Sequence, residues 1–448
     1  MKKNHAAMVH AMSSGNLPIQ ILLFSLPLML SNVLQVLFNM ADIAVIGHFS
    51  GSLSLAAVGS TATAVALFTG VLIGLGGGVN ALIAQYYGAR DYEEMGRTIH
   101  SSALICLICG LIMTLFGFFF SRPLLRLLQT KAEILDKATL YMQIYFCGMP
   151  ALALYNFGNA VYSAMGNTKK PLIFLMISGV LNVVLNLFFV VVCHLDVAGV
   201  ALASILSQYL SATLILLTLF RSKEVFGMRF RELKIHRKNS REILALGIPS
   251  GLQNGIFYLA NLFVQFGVNT FDTVMVAGNS AAANSDGLIF DVMAAFYTAA
   301  SSFIGLNYGA GNRKRIRQSY LICLGYSFGI GTLMGVLLVI FGPQFLSIFT
   351  NDPAVIVAGM KRLSIMGPIY GISAFMDNAI AGCRGLGKSM VPMIIVFSGS
   401  CIFRVIWVFT VFAYFQTITS LYLLYLFSWI ITATFENWYF IRCYRRLP

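Results

Sequence analysis

The sequence has 448 residues, of which 58% are hydrophobic and only 10% are charged, and its formal net charge is +14. Soluble domains carry about 25% charged residues, so this composition excludes a soluble globular enzyme, a disordered chain and a secreted disulfide-rich scaffold. It leaves a multi-pass membrane protein. Because long apolar runs can satisfy their backbone hydrogen-bonding groups within a bilayer only as helices, the predicted fold class is all-α.

Twelve apolar runs are predicted to cross the membrane as helices, since about 20 residues span the hydrocarbon core. In chain order they lie at about 18–45, 56–84, 98–120, 138–164, 171–193, 197–220, 243–269, 281–308, 318–341, 360–381, 391–413 and 419–441.

The basic residues are distributed unevenly between the two predicted sides of the membrane. With the N-terminus inside, the inner segments hold 23 of the 30 Lys and Arg, and the outer segments hold six, including Lys361 and Arg362. The remaining one, Arg404, lies within the eleventh run. This asymmetry predicts that both termini lie in the cytoplasm, and we expect the protein to reside in the plasma membrane. It also accounts for the positive charge without a nucleic-acid partner, and the inner loops are suited to contact anionic membrane lipid.

An internal repeat and a charged linker predict two lobes. The most charged stretch, 221–242, separates an N-lobe (1–220, helices 1–6) from a C-lobe (243–448, helices 7–12). Positions in the two halves correspond at an offset near 221, as in Tyr87-Gly88-Ala89 with Tyr308-Gly309-Ala310 and Gly166 with Gly387. Six helices in each half make the halves pseudo-symmetric bundles that enter the bilayer from the same side, an arrangement suited to alternating access.

Polar side chains inside the first-half spans are candidates for function, because a buried charge costs at least about 2.5 kcal/mol. Asp42 lies late in the first span, Asn182 and Asn186 share one face of the fifth, and Ser204 lies in the sixth. One carboxylate with amide and hydroxyl oxygens is a hard, oxygen-only environment. It can hold Na⁺, or let Asp42 bind and release a proton. The alternative is a set of hydrogen-bonding residues that join helices.

The second half carries its own intramembrane charges. Asp286 and Asp291 lie in the eighth span, Asp377 in the tenth and Arg404 in the eleventh. Because an unpaired Arg is costly there, we expect Asp377 or Asp286 to pair with it, either as a fixed salt bridge or as a gate or cation site that changes with conformation. With Asn156, which corresponds to Asp377 at the repeat offset, these residues form the candidate polar or substrate-binding set of the C-lobe.

Several motifs occur in a fixed order along the chain. They are Pro27 with Asp42-Ile43-Ala44 and Gly47; Gln85-Tyr86-Tyr87-Gly88-Ala89; Gly166 to Pro171; Asn182 to Asn186; Gly199 to Ser204; Gly247-Ile248-Pro249; Asn307 to Gly311; and Asp377 with Arg384-Gly385. The ordered set resembles the multidrug and toxic compound extrusion (MATE) transporters over essentially the whole chain.

The resemblance implies a V-shaped pair of six-helix lobes that exports cationic amphiphilic compounds against H⁺ or Na⁺. It also implies that Asp42, Asn182, Asn186 and Ser204 form the N-lobe cation site, with Asp42 as the central coupling residue. Asp377 matches an acid of the C-lobe site in some members. The chain departs from the family at Asn186, which is often Asp, and at Phe257, where some Na⁺-coupled members have Glu.

The predicted function is a secondary antiporter that exports organic cations and drugs in exchange for H⁺ or Na⁺ by alternating access. We expect no enzymatic activity and no cofactor or ATP, since the sequence has no phosphate-binding loop motif. We also expect each chain to hold a complete pathway and to act as a monomer. One alternative is a flippase for lipid-linked substrates, which requires a strongly cationic cleft. Another is a membrane-embedded transferase, which requires a His, Ser or metal cluster at membrane depth.

Overall fold

A computed structural model describes residues 15–447, and every regular element in that range is helical. The helices up to the linker are α1 (Leu17–Phe49), α2 (Ser52–Gly88), α3 (Tyr92–Leu127), α4 (Ala132–Phe146), α5 (Met149–Ala164), α6 (Lys169–Asn186) and α7 (Asp196–Phe220). A π-helical segment, Leu187–Val192, continues α6, and a 3₁₀ turn, Phe230–Glu232, lies in the linker. The all-α fold is thereby confirmed.

The helices after the linker are α8 (Arg237–Val268), α9 (Thr273–Gly309), α10 (Arg313–Ile340), α11 (Gly342–Leu346), α12 (Pro353–Met366), α13 (Tyr370–Gly385), α14 (Met390–Val396), α15 (Phe403–Trp407), α16 (Ala413–Phe415) and α17 (Ile418–Arg445). A 3₁₀ turn, Gly367–Ile369, joins α12 to α13. Two π-helical segments, Phe397–Ile402 and Val408–Phe412, join α14, α15 and α16.

Eleven helical stretches in the described residues are long and apolar enough to cross a membrane. The remaining predicted span, 138–164, the fourth in chain order, is the two shorter helices α4 and α5. The break follows from Pro150, which has no backbone N–H and lies in the first turn of α5. The amides of Cys147 and Gly148 bond only three residues back, to Ile144 and Tyr145, both at 2.9 Å.

The internal repeat extends to backbone detail. Helices α2 and α9 each have 37 residues and begin 221 positions apart. Asp91 and Asn312, also 221 apart, cap the following helices with the same dihedral angles, φ −88° and ψ 77°. Each side chain accepts a hydrogen bond from the amide three residues later, at 3.1 Å. Equivalent turns therefore begin equivalent helices in both halves.

The described chain forms two compact units whose borders lie inside helices. The first unit is 30–251 and the second is 15–29 with 252–447. The predicted lobes, in contrast, meet at the linker 221–242. One border falls two residues after Pro27 in α1 and the other two residues after Pro249 in α8. A proline inside a helix removes one backbone hydrogen bond of that helix, so each border lies just after a point where the helix is weakened.

Within the second unit, the start of α1 is tied to α9 and α10. The rings of Phe24 and Phe303 meet edge to face, with centroids 5.5 Å apart. The guanidinium of Arg315 donates to the carbonyl of Gly15 at 3.2 Å, and the hydroxyl of Tyr326 donates to the carbonyl of Pro18 at 3.4 Å. Residues 15–29 thus belong to the core of a unit otherwise built from the second half of the sequence.

Glycines allow α2 and α8 to meet backbone to backbone in the first unit. A Cβ atom on Gly74 would lie 2.4 Å from the carbonyl oxygen of Ser250, and one on Gly78 would lie 2.7 Å from the Cα of Gly247. Gly247 itself and Gly251 are four residues apart on α8, as Gly74 and Gly78 are on α2. This is the small-residue packing that membrane helices use for close approach.

Candidate cation site and charged network

A close helix crossing positions the first candidate site within the first unit. A Cβ atom on Gly179 of α6 would lie 1.9 Å from the ring of Phe38 on α1, so the glycine lets the two helices touch. Asp42 lies one turn beyond Phe38, and Asn182 and Asn186 lie one and two turns beyond Gly179. The crossing therefore brings the carboxylate of α1 to the amides of α6.

The Asp42 carboxylate accepts hydrogen bonds from two helices. Nδ2 of Asn186 donates to Oδ1 of Asp42, and Oγ of Ser204 on α7 donates to Oδ2 at 3.1 Å. Nδ2 of Asn186 also donates to Oδ1 of Asn182 at 3.3 Å. Asn182, Asn186 and Ser204 are buried and Asp42 is half-buried. The structure brings all four residues of the predicted first-half set together.

One acceptor in this group has no hydrogen-bond donor within the described residues. Oδ1 of Asn186 is buried and makes no hydrogen bond there. A buried polar atom without a partner costs about 1–3 kcal/mol. Immediately after Asn186 the chain becomes π-helical, a local distortion that is frequent at functional sites. The site thus offers an amide oxygen beside a carboxylate and a hydroxyl, which is a donor set suited to a hard cation.

A second buried polar network lies in the second unit around Asp286 of α9. Nη2 of Arg362 and the hydroxyl of Tyr370 both donate to its carboxylate. Nη1 of Arg362 donates to Oδ1 of Asn279 at 2.7 Å, and the hydroxyl of Tyr422 donates to the same oxygen at 3.0 Å. Arg362 is only 3% exposed, so this ion pair is a buried one.

Arg404 has neutral partners, so the expectation of a carboxylate beside it is wrong. Its Nη1 donates to Oδ1 of Asn261 at 2.7 Å, and its Nε donates to Oγ of Ser428 at 3.3 Å. Its guanidinium carbon lies 4.6 Å from the centre of the Tyr425 ring. Among the described residues, neither Asp377 nor Asp286 forms a salt bridge with it, because Arg362 takes Asp286.

The other candidates of the C-lobe set have neighbours within their own units. Asp377 on α13 is half-buried and lies within electrostatic range of Tyr297 and Arg384. Asp291 on α9 is half-buried and lies near Tyr258. Asn156 donates to the carbonyl of Leu152 one turn earlier in its own helix, at 3.0 Å. Asn156 belongs to the first unit, whereas the other four members of the predicted C-lobe set, Asp286, Asp291, Asp377 and Arg404, belong to the second.

The sequence matches a known protein family in both of its halves. The MatE family model matches residues 27–188 and 249–410, once in each half of the repeat. The chain belongs to the MatE family. The resemblance drawn from the ordered motifs is thereby confirmed, and the chain is a MATE multidrug efflux transporter by family.

Relatives cover nearly the full length of this MATE transporter. A probable multidrug resistance protein, YpnP of Bacillus subtilis, is 30% identical over 86% of this chain and 87% of its own. A probable multidrug resistance protein, NorM of Thermotoga maritima, is 26% identical over 89% and 86%. The fold matches a MOP superfamily transporter from Pyrococcus furiosus with a TM-score of 0.91, 23% identity and 98% coverage of both chains.

Sequence reasoning missed Arg362 in this MATE transporter. It was assigned to an outer segment beside Lys361, but the helix begins nine residues earlier and buries it. Asp352 caps that helix and Pro353 is its first residue, which is a recognisable start signal. Glu436 on α17 is also fully buried, and neither of its carboxylate oxygens accepts a hydrogen bond within the described residues.

The buried ion pair gives a first testable result. Arg362→Met or Asp286→Asn alone is expected to destabilise the protein by about 3–5 kcal/mol, because each leaves a buried polar group without its partner. The double variant is expected to recover at least about 1 kcal/mol relative to the sum of the single effects. Thermal unfolding in detergent, followed by the loss of monodisperse protein, measures the cycle.

Arg404→Ala with Asp377→Ala is the comparison cycle. Since these residues do not pair, their effects are expected to add within about 0.5 kcal/mol. Coupling between Arg404 and Asp377, or additivity between Arg362 and Asp286, would contradict the arrangement described above.

Proposed function

We propose that this MATE transporter is a secondary antiporter that exports organic cations and drugs in exchange for H⁺ or Na⁺ bound at Asp42. The observation that carries the proposal is the Asp42 carboxylate, held inside the membrane-spanning part of the first unit by Asn186 and Ser204. Because burying an acid in a membrane is costly, acids at this depth are rare and mark ion or proton pathways.

The residues around Asp42 have separable roles in this proposal. The carboxylate supplies the negative charge that a proton or Na⁺ neutralises. Ser204, Asn182 and Asn186 supply hydroxyl and amide oxygens, and the unused Oδ1 of Asn186 is available to a cation. Binding and release of the proton or Na⁺ at Asp42 change the net charge buried in the first unit. Such a change favours one conformation over another and thereby couples the ion gradient to transport.

The membrane placement belongs to the same proposal. We place the protein in the plasma membrane with both termini in the cytoplasm, in accordance with the inner excess of Lys and Arg. Each chain is proposed to work as a monomer and without ATP or another cofactor. Entry of H⁺ or Na⁺ down its inward gradient then drives the export of the substrate.

Transport by purified protein in liposomes tests the proposal. A fluorescent organic cation is loaded, and its release is followed under a pH gradient alone, under a Na⁺ gradient alone, and with both gradients collapsed by ionophores. Release driven by one gradient supports antiport and names the ion. Equal rates in all three conditions would contradict coupled transport.

A flippase for lipid-linked substrates is a second candidate. The sequence indicated one arginine inside the membrane, Arg404, and the burial of Arg362 adds a second, which favours a flippase. The described interior of the second unit holds two arginines, Arg362 and Arg404, at 3% and 2% exposure. Phosphate groups are recognised by such guanidinium groups. Dithionite quenching of fluorescent phospholipids in the same liposomes separates the two functions, since an antiporter is expected to leave lipid asymmetry unchanged.

A further inference from the structure

A surface cleft in the second unit has basic and neutral side chains on its walls and no acidic ones. It lies where the end of α17 meets the start of α10, and its volume is about 550 Å³, within the range of about 300–1,000 Å³ that is typical of ligand sites. This cleft, called here the α10 cleft, is lined by Arg313, Lys314, Arg317, Gln318, Leu321 and Tyr444.

The internal repeat supplies an equivalent cleft for comparison. Every residue that lines the α10 cleft has a counterpart 221 positions earlier, and all six counterparts line one cleft of the first unit, between the start of α3 and the linker. The counterparts are Tyr92, Glu93, Gly96, Arg97, His100 and Lys223. The two clefts are therefore the same feature of the repeat with different side chains, and a difference in their charge indicates a difference in use.

The first-unit cleft contains its own counter-charges. Glu93 and Glu94 lie in the first turn of α3, where acidic side chains interact favourably with the helix dipole. Both carboxylates pair with Arg97 one turn later, and Glu232 of the linker pairs with Arg229 at 3.3 Å. The basic side chains of this cleft are therefore partly neutralised within the protein.

The start of α10 reverses the charge of its counterpart. Lys314 and Arg315 occupy the positions that correspond to Glu93 and Glu94. A cation in the first turn of a helix is unfavourable, because the aligned peptide dipoles make that end positive. The second unit thus places cations where helix stability opposes them, which indicates that their charge serves binding.

The α10 cleft has no acidic side chain to balance these cations. Neither 292–351 nor 437–448 contains an acidic residue. Among the salt bridges of the described residues, none involves Arg313, Lys314 or Arg317. The side chains of the described residues therefore supply no counter-charge to this cleft.

The end of α17 holds Arg313 in place. Its Nη1 donates to the carbonyl oxygen of Leu447 at 3.1 Å, and its guanidinium carbon lies 5.0 Å from the centre of the Tyr444 ring. The hydroxyl of Tyr444 donates in turn to the carbonyl oxygen of Arg313 at 3.4 Å. Arg317 is four residues later on the same helix face. Because one of these two cations is already held, less conformational entropy is lost when an anion binds.

Apolar and aromatic side chains continue from the cationic end of the cleft. Leu321, four residues after Arg317, is exposed and lines the same cleft. On α17, Trp438 is also exposed, and the guanidinium carbon of Arg442 lies 5.3 Å from the centre of its ring. Tryptophan is enriched at the level of lipid headgroups. A cationic end beside an apolar wall fits a ligand that carries both a phosphate and acyl chains, whereas free phosphate needs only the first.

We propose that the α10 cleft binds the phosphate headgroup of one anionic phospholipid. Arg313, Lys314 and Arg317 contact the phosphate, and Leu321 contacts the start of an acyl chain. The sequence predicts lipid contact for the inner loops in general, and the cleft gives that contact one specific place. Headgroup binding at this site goes beyond the proposed antiport and does not depend on it.

Lipid binding by the purified full-length protein in detergent tests the inference. Native mass spectrometry counts the bound lipids during titration with phosphatidylglycerol or phosphatidylcholine and gives a Kd for each. The anionic lipid is expected to bind roughly 10- to 100-fold more tightly, because each basic residue near an anionic headgroup contributes about a fivefold factor. An equal concentration of inorganic phosphate is expected to leave the bound lipid in place.

A double variant removes two exposed charges of the cleft. Lys314→Gln with Arg317→Gln is expected to weaken phosphatidylglycerol binding roughly 25-fold and to change phosphatidylcholine binding less than about twofold. Lys169→Gln with Lys170→Gln is the matched control, since it removes the same charge from exposed positions of the first unit. It is expected to leave both Kd values unchanged.

A second variant covers the case in which the first does not fold. Lys314→Glu with Gln318→Arg transfers the pair of Glu93 and Arg97 to the equivalent positions of α10. An acid in the first turn and an ion pair between residues four apart both stabilise a helix, so this variant is expected to fold. It is expected to weaken phosphatidylglycerol binding at least about fivefold, because the cleft then contains its own counter-charge.

Three outcomes would contradict a lipid site. Equal Kd values for the two lipids in the wild type would remove the headgroup preference. An equal loss of binding in the cleft variant and its control would show only a general attraction between surface charges. Displacement of the lipid by inorganic phosphate would assign the cleft to soluble phosphate instead. Because these measurements contain no transport step, they leave the proposed antiport to be decided by its own assay.

Discussion

Asp42→Asn is expected to reduce gradient-driven export to the rate of protein-free liposomes while the protein remains folded. The substitution keeps the size of the side chain and its contact with Ser204, but it removes the charge that a proton or Na⁺ neutralises. Without that charge the ion gradient has no residue through which to act. Export assays under the driving gradient, with monodispersity and thermal unfolding measured in parallel, give the result.

A matched substitution is available for comparison. Asp91→Asn changes another acid of the first unit, at the cap of α3, and Asn312 already fills the equivalent cap with the same backbone geometry. Asn and Asp cap helices about equally well, so transport by this variant is expected to remain at the wild-type rate. Full coupled export by Asp42→Asn would remove Asp42 from the mechanism.

Gly74→Leu is expected to prevent accumulation of folded protein. Even a Cβ atom at this position would lie 2.4–2.5 Å from the backbone of Ser250 and Gly251, and backbone cannot move aside as a side chain can. Overpacking typically costs about 1–3 kcal/mol of stability. We expect a larger cost here, because a whole leucine side chain would have to fit against helix backbone. The yield of monodisperse protein and its unfolding temperature measure the effect, and Gly74→Ala is expected to show it in weaker form.

Gly59 on the same helix serves as the control. A Cβ atom there would meet nothing within 4 Å, so Gly59→Ala is expected to stabilise the protein by about 0.5–1 kcal/mol through helix propensity. If Gly74→Leu matched the wild type in yield and unfolding temperature, the close crossing of α2 and α8 would be refuted.

The sequence was informative where local patterns decide the structure. Apolar length predicted the helices, and the spacing of Asn182 and Asn186 correctly indicated one helix face beside Asp42. The repeat offset likewise predicted equivalent turns at Gly166 and Gly387, whose φ angles are 79° and 77°. These features follow from composition, helical period and turn chemistry, all of which act over short stretches of chain.

The sequence was less informative where contacts between distant helices decide. Whether Asp286 pairs with Arg362 or Arg404 depends on the rotation and depth of several helices, and a single sequence contains no direct signal for either. The break at Gly148 and the early start of α12 at Pro353 did have local signals. In both cases hydrophobicity over a long window outweighed a proline that marked a helix start.

The allocation of helix segments between the two units has a consequence for biogenesis. Residues 15–29 are among the first described residues to be synthesised, yet they belong to a unit whose other members begin at residue 252. The first unit, in turn, is complete only when the chain through Gly251 has been made. During translation, the start of α1 must therefore remain without its final partners such as Phe303 until the second half of the chain emerges from the ribosome.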